Sequence, residues 1–352
     1  MKLVPRADWD PSLCEAAGTA RWPLGEALAL LGACPTWPSV ARIGEVLAAC
    51  GVTNVAGTPL RTELQPPKPR RAAPGALRRR DELYDARIDG EGVLPTRARS
   101  YHDLFNALVW ASFPRTKAAI SARQHAIWRR TLPQTFDRLP STRTREQDAL
   151  AMLDEGGLVL VTSPEREAEV ASLVAEGALE ALEARAREGA LAGVIVGHAV
   201  YEHFVSASGP VRAATVVLPL RAPLAEPDLV GRVDAALAAQ VNDPARFCAP
   251  PTAAGIPVRA HSPLVVLPAD ALRRVCAVHR TRRMTHELTI DGMSCGHCVK
   301  TVREALAKVP GVTRADVELD PDKVGHARVE GDVERALLIA AVEAEDYRVR
   351  PA

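Results

Sequence analysis

The sequence of 352 residues contains no apolar run that approaches the ~18 consecutive residues of a membrane-spanning helix. Residues 1–9 contain no apolar core of a signal peptide, so neither a membrane span nor export is expected. Five of the seven cysteines show no framework spacing, namely Cys14, Cys34, Cys50, Cys248 and Cys276. Free thiols of this kind are typical of a reducing compartment, which predicts a cytoplasmic protein.

A strong excess of charge is also absent, since 44 Lys and Arg side chains nearly balance 43 Asp and Glu, for a net charge of +1. The balance differs along the chain, because residues 284–352 hold 9 basic and 13 acidic side chains and the preceding 283 residues hold 35 and 30. These opposite net charges favour intramolecular docking of the two parts, or attraction of a charged partner. Two independent surfaces explain the same numbers equally well.

A basic, proline-rich stretch covers residues 65–80. From Arg61 to Arg80 there are seven positive side chains and a single negative one, Glu63. No aromatic residue lies among them to stack on bases, and the chain as a whole is nearly neutral. We therefore expect a solvated loop here, and no nucleic-acid partner.

Two cysteines do form a recognisable group, the Cys-x-x-Cys pair Cys295 and Cys298. Before the pair, residues 286–291 alternate like a strand, and after it, residues 299–309 carry apolar side chains at helical spacing. The pair therefore lies on a strand-to-helix loop, with Cys298 at or inside the first helical turn. Unpaired N–H groups and the helix dipole lower the pKa of a cysteine there, and the thiolate is the form that binds metal or attacks disulfides.

The ligand chemistry of the pair favours Cu(I), because soft sulfur ligands prefer soft ions. Two thiolates satisfy Cu(I), whereas a structural zinc site usually has about four protein ligands. Zn(II) and Hg(II) are the alternative ions for this pair of thiols. His297 lies between the two cysteines, where closing on the same ion is difficult, and we expect it to tune the site or to assist transfer at most.

The same pattern has two other interpretations. A Cys-x-x-Cys before a helix also occurs in thioredoxin-like redox proteins. Here no Trp precedes the first cysteine, no Pro separates the pair, and the segment is short for that fold. Metal binding is therefore favoured, with a thiol redox role or inert cysteines as alternatives.

Residues 284–352 resemble a heavy-metal-associated domain, the module of bacterial copper chaperones and of copper-ATPase N-terminal regions. The resemblance rests on three segments: Gly292–Cys298, Pro310–Val312 and Glu345–Val349. It implies a ferredoxin-like βαββαβ sandwich that binds Cu(I) through Cys295 and Cys298. It also implies transfer to a similar domain of an acceptor, such as a copper-transporting ATPase, by thiolate exchange.

Three further residues near the thiols take their expected roles from this resemblance. Met293 packs under the loop in such domains and does not bind the ion, and Tyr347 is part of the matching pattern. Asp346 departs from the family, which usually has Gly before the Tyr. A carboxylate at that position could alter docking or metal preference.

The preceding part of the chain, residues 1–279, is predicted to be a separate domain, joined through a linker at 280–285 to the domain at 286–352. Its helical patterns interleave with short apolar strands, which predicts an α/β or α+β fold. Helix starts are predicted at Ser39, at Ser100 with Asp103 as a capping box, and at Thr144 with Gln147 as another. A single helix is expected from Ser163 to about Glu188.

Trp9, Trp22 and Trp37 each lie near a proline, and we expect them to anchor their arm of the chain to the core. Farther along, the segments His102–Trp110 and Phe113–Lys117 resemble the signature of an uncharacterised proteobacterial family of unknown function. The resemblance extends over roughly residues 1–275 and includes Asp154–Gly157 and Gly197–Glu202. It supplies no activity.

Candidate site residues in this part lie in same-face pairs on predicted helices. They are His102 with Asn106, Asp148 with Glu155, and His198 with Glu202, and a further histidine, His125. Imidazole and carboxylate groups of this kind suit a hard or borderline metal ion or acid–base catalysis. Gly197, before His198, is expected to let a ligand come close.

The alternative is that these side chains are ordinary core and surface groups, since no HExxH, GxSxG or phosphate-loop motif is present. A binding protein is therefore favoured over an enzyme. The enzyme hypothesis, with the metal-binding part as supplier or sensor, requires the histidines and carboxylates to lie within about 10 Å of one another.

Overall fold

The computed structural model describes residues 9–15, 23–65, 77–206, 210–221, 228–251, 255–260, 262–265, 284–309, 312–320, 323–331, 333, 335–345 and 347–350. The chain divides into two compact units. The N-terminal unit has Val265 as its last described residue, and the C-terminal unit has Met284 as its first. Within these ranges, no helix combines the length and the apolar character that crossing a membrane requires.

Some predicted features lie outside the described residues. They are Trp22, residues 66–76 of the basic loop, residues 280–283 of the linker, Pro310 with Gly311, and Asp346.

The N-terminal unit mixes helices with short strands. Its described α-helices are α1 Ser12–Glu15, α2 Gly25–Leu31, α3 Val40–Ala49, α4 Tyr84–Glu91, α5 Tyr101–Ser112, α6 Pro114–Thr131, α7 Arg145–Gly156, α8 Glu167–Glu176, α9 Leu179–Arg187, α10 His198–Ser206 and α11 Leu229–Asn242. Its described strands are β1 Arg61–Leu64, β2 Arg78–Arg79, β3 Val93–Thr96, β4 Thr135–Phe136, β5 Gly157–Thr162, β6 Leu191–Ile195, β7 Val211–Pro219 and β8 Ile256–Val258.

The main sheet of this unit has the strand order β6-β5-β7-β8. Strand β5 pairs antiparallel with β6 and parallel with β7, and β8 pairs antiparallel with β7. Every residue of β5 is buried. Its unbroken apolar sequence fits this position, because a strand covered on both faces has no polar side. The predicted mixture of helices and strands is confirmed.

Helix α5 lies at the centre of the helical part and is buried on most sides. The hydroxyl of Ser100 accepts a hydrogen bond from the backbone N–H of Asp103, as predicted for a helix cap. The reciprocal half of that capping box is wrong, because the Asp103 carboxylate accepts from the backbone and guanidinium of Arg97 instead. Ser39 caps α3, and Thr144 with Gln147 forms the predicted box at α7.

Helix α6 begins without a side-chain cap from its own N-terminal neighbour, Phe113. Asp234 on α11 supplies it, since its two carboxylate oxygens accept the N–H groups of Arg115 and Thr116 at 3.0 and 2.8 Å. A buried carboxylate thus satisfies two of the donors that every helix start leaves unpaired.

The arm at the start of the chain, on both sides of α2, is anchored by aromatic packing, as predicted for Trp9 and Trp37. Their ring centroids lie 5.2 Å apart, and Trp37 also packs against Tyr101 at 4.7 Å. The indole N–H of Trp9 donates to the carbonyl oxygen of Cys34.

The single helix predicted between Ser163 and Glu188 is wrong. A short 3-10 turn precedes two helices, α8 and α9, and Gly177 separates them. Gly177 has φ +68°, the left-handed conformation that ends a helix and that glycine adopts without steric cost. An Ala- and Glu-rich composition continued past this glycine and concealed the break.

The C-terminal unit has the element order βαββαβ. Its elements are β9 Met284–Asp291, α12 Gly296–Lys308, β10 Val312–Leu319, β11 Gly325–Gly331, α13 Arg335–Glu343 and β12 Arg348–Val349. The antiparallel sheet has the order β10-β11-β9-β12, and both helices pack with it around a core that includes Ile290, Val302 and Leu338. The predicted ferredoxin-like sandwich is confirmed.

Candidate functional site

The thiol loop lies between β9 and α12. Cys295 is the residue directly before the helix, and Cys298 lies in its first turn, as predicted. The two sulfur atoms are 3.6 Å apart, and the hydroxyl of Ser294 lies 3.8 Å from the Cys298 sulfur. Cys295 is exposed and Cys298 half-buried. The loop therefore presents two adjacent free thiols to solvent.

Hydrogen bonds lower the pKa of Cys298 to about 6. The largest cause is the Tyr347 hydroxyl, which donates to the sulfur, followed by the backbone N–H groups of the loop. The same contact raises the pKa of Tyr347 to about 12, chiefly because the hydroxyl would lose the hydrogen bond it donates to Cys298. Near neutral pH, Cys298 is therefore largely a thiolate.

Met293 is buried under the loop and belongs to the core of the C-terminal unit, the position that the resemblance implies. A side-chain carbon at Gly325 would overlap the Met293 sulfur, so a glycine at the start of β11 leaves the space that this methionine fills. His297 is exposed, and its carbonyl oxygen accepts from the Thr301 hydroxyl.

A second group of polar side chains forms in the N-terminal unit. Its members are His102 on α5, Glu155 at the end of α7 and His198 at the start of α10, whose candidate ligand atoms lie within 4.8 Å of one another. The Nε2 atoms of the two histidines are 3.1 Å apart. Glu202, one turn after His198, accepts a hydrogen bond from Nδ1 of His102 at 2.9 Å.

The electrostatic environments of the two histidines differ. Burial lowers the pKa of His198 to about 3. Burial acts in the same direction on His102, but the hydrogen bond and charge of Glu202 outweigh it and raise the pKa of His102 above its ordinary value. His198 is therefore neutral at physiological pH, and His102 gains a proton more readily.

A buried ionic network adjoins the histidines. The Lys117 ammonium pairs with the carboxylate of Asp154 and donates to the side-chain oxygen of Asn106 at 2.7 Å. The amide of Asn106 donates in turn to the Tyr84 hydroxyl at 2.7 Å. Burial alone would raise the pKa of Asp154, but the charge of Lys117 holds it below its ordinary value.

The structure brings together some of the predicted candidates and not others. His102, Asn106, Glu155 and His198 line one pocket, and Glu202 contacts His102. Asp148 begins the helix that Glu155 ends, so it lies about 10 Å along the axis, outside this pocket. Since His125 pairs with Asp89 at 2.7 Å and does not line the pocket, including it with the other histidines was wrong.

The role expected for Gly197 is also wrong. A side-chain carbon there would overlap the backbone of Glu155, Gly156 and Gly157, so the glycine admits a neighbouring chain segment and no ligand. Its N–H donates to the carbonyl oxygen of Gly157 at 3.0 Å. The close approach holds the end of α7 against the start of α10, and thereby sets Glu155 beside His198.

Sequence reasoning missed Asp154, Lys117 and Tyr84 as neighbours of the site. The signal available for Asp154 was an acid directly beside Glu155 at a helix end, and for Lys117 a lysine within a run of apolar and small residues on α6. Tyr84 gave no signal, since its contact with Asn106 spans 22 residues.

The fold and the thiol loop define the C-terminal unit as a small metal-binding module. The family model described as heavy-metal-associated domain matches residues 287–348. The model described as protein of unknown function (DUF3025) matches residues 72–262, more than half of the chain. The chain therefore belongs to the DUF3025 family and carries a heavy-metal-associated domain in its C-terminal unit.

Among similar proteins, the copper chaperone CopZ of Staphylococcus haemolyticus (strain JCSC1435) is 40% identical over 63 residues, 18% of this chain and 93% of that protein. Copper-transporting ATPase 2 of Rhizobium meliloti (strain 1021) is 39% identical over 74 residues, 21% of this chain and 9% of the ATPase. The mercuric reductase of Acidithiobacillus ferrooxidans is 44% identical over 71 residues, and the chain spans 13% of its length.

A solved structure of a CopZ metallochaperone matches with 33% identity and a TM-score of 0.17, covering 19% of this chain and all of that chain.

Proposed function

We propose that the protein captures Cu(I) with Cys295 and Cys298 in the cytoplasm and passes it to an acceptor such as a metal-binding domain of a copper-transporting ATPase. The observation that carries the proposal is the pair of sulfur atoms 3.6 Å apart at a helix N-terminus, one of them with a lowered pKa. The six described cysteines are free, which supports a reducing compartment. The similarity to a copper chaperone and to a copper ATPase supports the choice of ion and acceptor.

The number of ligands favours Cu(I) over zinc. In the described part of the chain, no third His, Cys, Asp or Glu side chain joins the two thiols in a candidate metal cluster. A structural zinc site usually has about four protein ligands, so zinc would be incompletely coordinated here. A soft monovalent ion is satisfied by two thiolates.

The distance between the sulfur atoms supports capture of one ion by both thiolates. With metal–sulfur bonds of about 2.3 Å, a linear arrangement separates two sulfurs by about 4.6 Å and a trigonal one by about 4.0 Å. The observed 3.6 Å is shorter than both values, so the loop has only to widen slightly for the two thiolates to share an ion. Because two thiolates leave Cu(I) open to a further ligand, an acceptor thiolate can add as a third, after which one of the two original bonds breaks and copper leaves with its oxidation state unchanged.

We further infer that residues 1–279 and 286–352 are separate domains joined by a linker at 280–285. Metal capture then belongs to the second domain, and the first domain contributes no ligand to the two thiols.

Anaerobic titration of the reduced full chain with Cu(I), in competition with a chromogenic copper chelator, tests the proposal. We expect one tightly held ion per chain. The Cys295→Ser and Cys298→Ser variants should each reduce retention to background, because one thiolate cannot hold the ion against the chelator. Transfer is tested by mixing the loaded protein with an isolated ATPase metal-binding domain and following the copper content of each.

Cys248→Ser is the matched control, since Cys248 is an exposed free cysteine outside the loop. It should bind copper as the unmodified protein does. Retention of copper by the Cys295→Ser variant would refute the site, and a stable disulfide that resists copper under reducing conditions would favour the thiol redox alternative.

A further inference from the structure

We propose that the N-terminal unit holds one divalent transition-metal ion between His102, Glu155 and His198. The three side chains come from three helices, α5, α7 and α10, and their candidate ligand atoms all lie within 4.8 Å of one another. They also line one pocket of about 770 Å³, a size typical of small-molecule sites. This site does not depend on copper binding by the C-terminal unit.

The orientation of the two histidine rings supports an ion between them. Nδ1 of His198 lies 2.7 Å from the backbone carbonyl oxygen of Asp154, which only accepts, so that nitrogen carries the hydrogen. Nδ1 of His102 donates in the same way to the carboxylate of Glu202. Each Nε2 therefore presents a lone pair, and the two lone pairs face each other across 3.1 Å. They repel unless a cation or an additional proton lies between them.

The distance between the rings fits a shared metal ion. With metal–nitrogen bonds of about 2.05 Å, an N···N distance of 3.1 Å corresponds to a nitrogen–metal–nitrogen angle of roughly 100°. This value lies between the angles of octahedral and tetrahedral coordination. The hydrogen bonds at both Nδ1 atoms are also the kind of outer contacts that orient ligating histidines.

The carboxylates near the rings differ in whether they already have a partner. The Asp154 carboxylate is occupied by Lys117, and the Glu202 carboxylate by His102. Within the described ranges, Glu155 has no hydrogen-bond or ion-pair partner, although it lies beside both rings. Glu155 is therefore the carboxylate available to neutralise a bound cation.

The ligand set identifies the class of ion. Two imidazoles and one carboxylate suit borderline divalent ions such as Zn(II) or Fe(II), whereas Cu(I) prefers the thiols of the other unit. Three protein ligands leave coordination positions open for water or a substrate. The pocket is also lined by Arg99, which has no ion-pair partner in the described part of the chain and favours an anionic small molecule there.

The test uses the full chain with Cys295→Ser and Cys298→Ser, so that the thiol loop cannot contribute. Zn(II) titration against a chromogenic chelator should show one ion per chain. In this background, His102→Ala and Glu155→Gln should each weaken zinc binding by at least about 10–100-fold, the size seen even for residues that only orient ligands. His125→Ala is the matched control, because that histidine is also paired with a carboxylate but lies outside the pocket.

Two results would overturn the proposal. One is no zinc binding by the thiol-free chain, which would leave His102 as a protonated donor to His198. The other is zinc binding that Glu155→Gln and His102→Ala leave unchanged. Glu155 is exposed, so its substitution tests the site even if a variant at the buried His198 fails to fold. Zinc binding is measured in the chain without the two thiols, and copper binding is measured in a chain with an unaltered histidine pocket. Failure of the zinc site can therefore be distinguished from failure of the copper site.

Discussion

Tyr347, far from the thiol loop in sequence, makes the largest single contribution to the lowered pKa of Cys298. Position at a helix N-terminus accounts for part of the lowered pKa of Cys298, through the backbone N–H groups of the loop. The largest single contribution comes from the Tyr347 hydroxyl. The same donor contacts the atom that binds metal, so it influences both the ionisation of the thiol and its readiness to exchange ligands.

Tyr347→Phe should raise the pKa of Cys298 and slow its alkylation several-fold at pH 7. In the unmodified protein, reactivity should fall as pH drops through about 6, because the thiolate takes up a proton there. In the variant the fall should occur at higher pH. The measurement is the rate of iodoacetamide modification of each cysteine by peptide mass spectrometry, with Cys248 as an internal reference. Identical pH profiles for Cys298 in the two proteins would contradict the assigned role of Tyr347.

Lys117 is a buried cation whose hydrogen-bond and ion-pair partners, Asn106 and Asp154, both line the histidine pocket. Its side chain is 4% exposed, and its pairing with Asp154 offsets part of the cost of burying both charges. The pKa of Asp154 is held below its ordinary value of 3.8, so this stabilisation is present above that pH and is lost as pH falls.

Lys117→Met should destabilise the N-terminal unit by about 3–5 kcal/mol, because Asp154 is left as a charge without a partner. Urea unfolding followed by tryptophan fluorescence measures this, since all five tryptophans lie in residues 9–128. The difference from the unmodified protein should narrow as pH falls below 3.8 and through the lowered pKa of Asp154, because the carboxylate then takes up a proton in the unmodified protein too. Arg185→Met, which removes an exposed pair with Glu169, should cost less than about 1 kcal/mol. Equal losses of unfolding free energy in Lys117→Met and Arg185→Met would contradict the view that burial makes the Lys117 pair the more important one.

A side chain of α11, that of Asp234, caps the start of α6. Asp234 lies in the middle of α11 and supplies the acceptors that the start of α6 requires. Such a contact combines local stabilisation of a helix end with tertiary packing, since the hydroxyl of Thr116 also donates back to the carbonyl oxygen of Asp234.

Asp234→Ala should lower the free energy of unfolding by about 1–2 kcal/mol, the range observed for loss of a helix cap. Asp228→Ala is the matched control, because Asp228 precedes α11 without making a side-chain cap. Chemical denaturation of both variants under the same conditions measures the difference. A loss at Asp228 as large as that at Asp234 would show that the cap is not the cause.

The two units bury separate hydrophobic cores, so the C-terminal unit has a core of its own that can hold its fold without metal. The core of the C-terminal unit is formed by residues of its sheet and both helices, including Leu288, Val302, Leu306, Val329 and Leu338. Neither cysteine belongs to this buried core, although Cys298 packs against it, so the metal is not a structural element of the kind that holds a zinc finger together.

Residues 284–352 without copper should therefore show the circular dichroism and cooperative thermal unfolding of a folded α+β domain. Copper should raise the unfolding temperature by mass action alone, with an effect that grows with the excess of free ion. A disordered copper-free fragment that folds only on adding Cu(I) would contradict this. The fragment with Cys295→Ser and Cys298→Ser should fold equally well and gain nothing from copper.

Local patterns were sufficient for much of this chain. The thiol loop, its position at a helix start and the order of strands and helices around it are readable because each depends on neighbours a few residues away. The same holds for the helix caps at Ser39 and Thr144. Local patterns fail between Ser163 and Glu188, where the composition favours one helix but Gly177 ends the first of two.

The contacts that give the histidine pocket its properties join segments far apart in the chain. His102 meets His198 across 96 residues and Glu202 across 100. No periodicity encodes which face of one helix meets which face of another, because that is decided by the packing of the whole core. For the same reason His125, which has the same chemistry as His102, faces Asp89 and takes no part in the pocket. Sequence therefore supplied the donor groups, and packing chose which of them meet.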